Sequence, residues 1–244
     1  MIFPLKDDVR TRSWPVVTIG FIALNVLAFL YQVSLGIDAR GPGAGAAEAF
    51  IVEFGVTPCR LTHSCPISVS RVLGDFPHPW ATLFTSMFLH ANLLHVGGNM
   101  LFLWIFGNNV EDTIGHGRFM VFYLAAGVVA AVGQTLVTPT SPVPLIGASG
   151  AVSGVLGAYL LLFPHATILT LVMLGFFIKI FRIPAVIVLG FWIVLQLMNG
   201  YLTYSAQALG REEGGGIAWF AHIGGFLGGI VLLFLLRPRQ SRRL

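Results

Sequence analysis

Ser149 and His222 stand in two separate apolar, glycine-rich stretches, Gly147-Ala148-Ser149-Gly150-Ala151-Val152-Ser153-Gly154 and Trp219-Phe220-Ala221-His222-Ile223-Gly224-Gly225. A serine hydroxyl beside an imidazole is the smallest set of groups for nucleophilic hydrolysis, because the ring can take the hydroxyl proton as the oxygen attacks a carbonyl carbon. An ionisable group inside a membrane segment is costly and points to function. A second pair, His95 and Asn99, lies in the run His90-Ala91-Asn92-Leu93-Leu94-His95-Val96-Gly97-Gly98-Asn99. Spaced four apart, the two share one helical face. Both donate hydrogen bonds and neither is a carboxylate, which suits them to negative charge developing on a carbonyl oxygen. Each group also has a plain structural alternative. His95 and Asn99 could clamp two helices, Ser149 could be one more small packing residue beside Gly150, Ser153, Gly154 and Gly157, and His222 could be an interfacial histidine. The stretches carrying these four residues contain no Asp or Glu, so a Ser-His-Asp arrangement cannot be built from them and any hydrolase here is a dyad.

These groups must be positioned by membrane helices. Hydrophobic residues make up 56% of the 244 and charged residues 10%, where soluble domains carry roughly 25% charged residues. The chain therefore reads as an all-α integral membrane protein, long enough for one domain of about six helices of ~20 residues. Apolar windows predict spans at 15–35, 80–106, 119–137, 149–163, 184–202 and 217–236. Lys179, Arg182 and Pro184 interrupt the run between, and 166–182 is predicted to be an interfacial segment. The 29 glycines concentrate in the apolar runs, where small residues let helices approach closely. Six spans put both termini on one side. With the N-terminus inside, ten Lys and Arg are cytoplasmic (6, 10, 12, 118, 179, 182, 237, 239, 242 and 243) and four are external (Arg40, Arg60, Arg71 and Arg211). That bias predicts an N-in, C-in chain.

On this topology the fourth span is short, since about 15 helical residues rise only ~22 Å against a hydrocarbon core of ~30 Å. Ser149 then begins below the outer face, among the free N–H groups of a helix start. His222, about five residues into the sixth span, lies ~8 Å below the same face. The uncharged, proline-rich stretch 138–146 must dip to meet Ser149, and irregular backbone at that depth needs shielding by protein or a water-filled cavity.

The expected organisation is a cytoplasmic segment 1–13, a membrane domain 14–236 that includes an external loop 36–79, and a basic cytoplasmic tail 237–244. No small-residue cleavage site follows the first apolar run, which reads as a retained helix rather than a removed signal. The external loop holds Cys59 and Cys65, and in an oxidising compartment either a local disulfide or free thiols are open. His63 lies between them, but the spacing fits no standard zinc pattern and lacks a clear fourth ligand, so no metal site is expected. The net charge of +4 sits at helix ends and in the tail. That distribution suits anchoring at an anionic lipid surface, not nucleic-acid binding.

Taken together, the motifs resemble the rhomboid family of intramembrane serine proteases over about residues 14–236. Gly147-Ala148-Ser149-Gly150 resembles the family's nucleophile motif, Ala221-His222-x-x-Gly225-x-x-x-Gly229 its sixth-helix motif, and His95-x-x-x-Asn99 its second-helix motif. The resemblance implies a six-helix bundle with Ser149 as nucleophile and His222 as general base and then acid. It further implies that His95 and Asn99, with the Ser149 backbone N–H, form the oxyanion hole. Glu111 and Gly117-Arg118, just after the predicted second helix, are similar to residues with a structural role. The implied activity is cleavage of transmembrane segments of membrane proteins within the lipid bilayer, without a cofactor, in a bacterial inner membrane. Two positions depart from the pattern. Ser153 stands where well-known members carry a tyrosine that stacks on the histidine, and Ile217 stands where a glycine is expected five residues before His222. Packing or neutral hydrogen bonds must then orient the ring. Two other classes make different predictions. A catalytically inactive relative binding transmembrane clients would not label at Ser149 with serine-reactive probes. A proton-relaying transporter would show flux in liposomes, but it lacks intramembrane Asp or Glu and an inverted repeat.

Overall fold

The computed structural model describes residues 2–36, 44–67, 77–174, 177–209 and 217–237. In chain order the elements are β1 (Ile2–Asp7), α1 (Val16–Ser34), α2 (Ala44–Phe54), α3 (Pro58–Leu61) and α4 (Pro79–Thr85), which ends in a tight 3-10 turn, Ser86–Phe88. There follow α5 (Leu93–Ile114), α6 (His116–Val137), α7 (Ser149–Leu162), β2 (Thr167–Leu174), β3 (Phe177–Pro184), α8 (Ala185–Ala208) and α9 (Trp219–Leu236). Helices α1, α6, α8 and α9 are each long and apolar enough to cross a membrane. Helix α4 with its turn, and α5, together form a fifth such stretch, bent by 85°. Helix α7 is apolar but only 14 residues long. Leu24, Leu27 and Leu30 of α1, Phe191, Val194 and Leu197 of α8, and Leu227, Val231 and Phe234 of α9 are exposed, while Thr18, Asn25, Gln32, Asn99, Glu111 and Gln134 are buried. Apolar outside and polar inside is the arrangement expected of helices solvated by hydrocarbon.

The fold is mostly helical, and the all-α expectation is corrected by a three-stranded antiparallel sheet of order β1-β2-β3. The segment expected at the interface, 166–182, is a hairpin in which Thr167 pairs with Pro184 and Leu174 with Phe177. Residues 2–7 pair along its other edge, from Ile2 opposite Val172 to Asp7 opposite Ile168. The β-branched run Thr167-Ile168-Leu169-Thr170 turns Ile168 and Thr170 to the interior at zero exposure, the two-residue alternation of a strand. Hydropathy does not separate such a strand from a span. Pro184 ends β3 and precedes the first turn of α8, where its missing N–H costs nothing.

The second predicted span, 80–106, is also corrected. The chain breaks after Phe88, and Asn92 restarts it as the N-cap of α5, its side-chain oxygen accepting from the His95 N–H at 2.9 Å. Helix α5 then runs through a π-helical turn, Leu103–Gly107, to Ile114. Glu111, expected after the helix, lies inside it with zero exposure. Its carboxylate accepts from the N–H groups of Val17 at 2.9 Å and Thr18 at 2.8 Å, from the Thr18 hydroxyl at 2.7 Å, and lies 2.6 Å from His116 Nδ1. A negative group at the start of α1 satisfies N–H groups that have no intrahelical partner.

Helix α9 packs against both α6 and α7, and small residues set the distance. A side chain at Gly225 would fall on the Gly150 carbonyl, one at Gly229 on the Gly154 carbonyl, and one at Gly157 on the Phe226 carbonyl. The backbones of α7 and α9 therefore touch, which brings the starts of the two helices side by side.

Candidate active site

Ser149 opens α7 and His222 lies in the first turn of α9. The contact between those helix starts leaves His222 Nε2 2.9 Å from Ser149 Oγ. His95, Asn99, Ser149 and His222 all line one cavity of about 720 Å³, with Gly98, Phe102 and Trp192 among its other walls. The four polar residues read from the sequence are thus brought together. Ser149 is the first residue of its helix, so its N–H and those after it lack intrahelical acceptors and can donate to a ligand oxygen.

The donors opposite are held in defined states. The Ala91 N–H donates to His95 Nδ1 at 3.4 Å. This leaves the ring proton on Nε2, which faces Gly147, where an added side chain would collide with it at 2.7 Å. Asn99 Nδ2 lies 3.1 Å from His90 Nε2, which also receives the Ala148 N–H at 3.5 Å. With Nε2 accepting, the Asn99 amide donates one N–H to His90 and keeps the other for the cavity. His90 is fully buried. It fixes both the Asn99 side chain and the backbone just before Ser149.

The loop 138–148, which delivers Ser149, is tied at several points. Val56 and Leu145 exchange backbone hydrogen bonds of 3.0 and 2.7 Å, the Cys59 N–H donates to Ser141 O at 3.0 Å, and the Gly147 N–H donates to Ser86 O at 2.9 Å. Thr62 and Ser64 hydroxyls donate to Pro139 O at 2.7 and 3.0 Å. Cys59 and Cys65 form a disulfide that closes this clamp, the first of the two alternatives open in the sequence. Gly147 has φ +119°, a conformation that only glycine adopts readily. The loop before Ser149 is thus held by backbone hydrogen bonds at Ser141, Leu145 and Gly147.

The Rhomboid domain family matches residues 77–239, a stretch that contains the whole cavity lining. The chain is a member of the rhomboid family. Rhomboid-like protein 11, chloroplastic, of Arabidopsis thaliana is 34% identical over 221 residues, 89% of this chain and 67% of that protein. The rhomboid protease GluP of Bacillus subtilis is 34% identical over 147 residues, 60% of this chain and 24% of that protein. Rhomboid protein 1, mitochondrial, of Saccharomyces cerevisiae is 28% identical over 166 residues, 64% of this chain and 42% of that protein. The chain thus spans a quarter to two thirds of the length of these relatives. This rhomboid is a multi-pass membrane protein, and its relatives come from bacterial, plastid and mitochondrial settings.

In this rhomboid the two departures from the family pattern have structural counterparts. Ser153 does not reach the His222 ring; its hydroxyl donates back to the Ser149 carbonyl at 2.6 Å. Trp192 of α8 lies beside the ring instead, centroids 5.9 Å apart and planes at 36°, and Trp219 meets it edge-on at 6.4 Å. Ile217 is exposed at the cavity rim. Gln196, absent from the sequence reading, has its Oε1 2.8 Å from His222 Nδ1. Its signal in the sequence is the stripe Trp192, Gln196, Gly200, spaced four apart on one face of α8.

Proposed function

We propose that this rhomboid is an intramembrane serine endopeptidase that cleaves transmembrane segments of other membrane proteins. The observation that carries the reading is the 2.9 Å approach of Ser149 Oγ to His222 Nε2 inside a cavity shared with His95 and Asn99. His222 Nε2 removes the hydroxyl proton as Oγ attacks the scissile carbonyl carbon. The oxyanion that forms is met by the Ser149 N–H, the free Asn99 N–H and the His95 Nε2–H. Collapse expels the amine, which takes the proton from His222, and leaves an acyl-serine. Water, deprotonated by the same nitrogen, then releases the acid and restores Ser149.

The same reading counts α1, α5, α6, α7, α8 and α9 as six spans, N-in and C-in, with 14–236 as the membrane domain, 36–79 as its external loop, and 1–13 and 237–244 as cytoplasmic ends. It sets the chain in a bacterial inner membrane, with the Cys59–Cys65 disulfide on the oxidising side. The test is cleavage of a single-span model substrate by purified protein in liposomes, with a fluorophosphonate probe as an independent readout. Ser149→Ala and His222→Ala are expected to abolish both. Cleavage that survives Ser149→Ala refutes the mechanism, and a folded wild-type protein that neither cleaves nor labels is an inactive relative.

A further inference from the structure

We infer that Gln196 is a positioning residue for the reaction proposed above, and that its amide oxygen holds His222 in the tautomer that leaves Nε2 free to take the Ser149 proton. The assignment follows from donors and acceptors. Gln196 Nε2 donates to the Trp192 carbonyl at 3.3 Å. A carbonyl only accepts, so the amide nitrogen belongs on that side and Oε1 on the other. Oε1 lies 2.8 Å from His222 Nδ1 and can only accept, so Nδ1 carries the ring proton. A neutral imidazole has one N–H, which leaves the lone pair on Nε2, 2.9 Å from the Ser149 hydroxyl. The chain Trp192 O, Gln196 amide, His222 ring, Ser149 Oγ therefore has one consistent direction, with the hydroxyl donating to the base.

The surrounding packing holds the chain in place. Gln196 is buried at 6% exposure. Trp192, one turn before it, covers the His222 ring and also lies against Phe226, with centroids 6.1 Å apart. Gly200, one turn after it, brings α8 against α9, where an added side chain would meet Ile223 at 3.3 Å and Trp219 at 3.4 Å. A neutral oxygen also suits the location. A carboxylate in this position would orient the ring equally well but would have to be desolvated in a hydrocarbon setting.

The inference rests on the serine-protease reading, and the experiment separates the two. Full-length protein in liposomes carries Gln196→Leu, which removes the acceptor, or Gln196→Glu, which keeps a carbonyl or carboxylate oxygen. Gln196→Leu is expected to lower kcat and the rate of fluorophosphonate labelling at Ser149 about ten- to a hundredfold, with KM and melting temperature little changed. Gln196→Glu is expected to restore most of that loss. In the unmutated protein, imidazole 15N shifts, identified by difference from His222→Ala, are expected to report the Nδ1–H tautomer. Three results overturn the inference: kcat within about twofold in Gln196→Leu, equal loss in both variants with a matching loss of stability, or a wild-type His222 protonated on Nε2. A wild-type protein that neither cleaves nor labels would refute the protease reading, while the 15N measurement would still decide the tautomer.

Discussion

His95 and Asn99 face Ser149 across a cavity with their protons already committed by neighbours, Ala91 for one and His90 for the other. In the proposed mechanism, donors fixed before the reaction act without reorganisation, so each is expected to contribute mainly to kcat. His95→Ala and Asn99→Ala should each lower kcat about 10²- to 10³-fold with a smaller change in KM, read from steady-state cleavage. Equal losses in kcat and substrate affinity from general unfolding would contradict this. A second residue-scale prediction concerns Asp7, on β1 and outside the candidate membrane-spanning helices. Burial pushes its carboxyl above the usual carboxylate range, only partly offset by the Tyr159 hydroxyl that donates to it at 2.6 Å. The folded state then holds this proton more tightly than the unfolded one. That contribution to stability is present at low pH and is lost as pH rises through the raised value. Asp7→Asn keeps an oxygen for Tyr159 and Asn109 and should flatten the decline, measured as thermal unfolding across a pH series. Ser149, His222, His95 and Asn99 were legible in the sequence because polar groups stand out in apolar runs. Gln196 was not, because the stripe Trp192, Gln196, Gly200 marks only a helix face, and only α9 packed alongside gives the amide oxygen a partner.

Helices α7 and α9 meet backbone to backbone, and that contact sets the serine–histidine distance. Gly229→Leu would push side-chain atoms into the Gly154 carbonyl and should destabilise the protein by about 1–3 kcal/mol or more, with loss of Ser149 labelling. Gly20→Ala on α1, where an added side chain meets nothing within 4 Å, is the matched control and should be silent in both assays. The loop before Ser149 depends on a different element, the disulfide-closed turn of residues 59–65. Replacing both cysteines by serine should lower stability by about 2 kcal/mol and slow labelling of Ser149, because the hydrogen bonds from Cys59, Thr62 and Ser64 to 139–141 are then held less firmly. Unchanged labelling in that variant would mean the clamp is irrelevant to the site. At this scale hydropathy located α1, α6 and α9 within three residues but ended α8 six residues before Ala208. It failed at 80–106 because it averages composition and does not register the Asn92 cap or the buried partners of Glu111 that carry α5 past Phe106. For 166–182, expected only as an interfacial segment, hydropathy carried no sign of the hairpin, because strands and helices can be equally apolar.

Among the described residues the long helices expose many apolar side chains, while Ser149, His222, His95 and Asn99 gather at one cavity. The proposed topology predicts that fluorescent-protein fusions at both ends fluoresce in cells and that a phosphatase inserted in 36–79 is active. A fluorescent insertion in 36–79 would sink the N-in, C-in reading. The sequence by itself determined membrane residence, the long apolar helices and the four polar residues in their motifs, because hydropathy and motif spacing are local properties of the chain. Only the tertiary structure decided that Ser149 and His222, 73 residues apart, meet at 2.9 Å, that β1 joins a hairpin more than 150 residues away, and that Gln196 takes the far side of the imidazole. Each of these depends on which faces of distant elements pack together. That is set by backbone contact at Gly150, Gly154, Gly225 and Gly229 and by hydrogen-bond partners that no local pattern encodes.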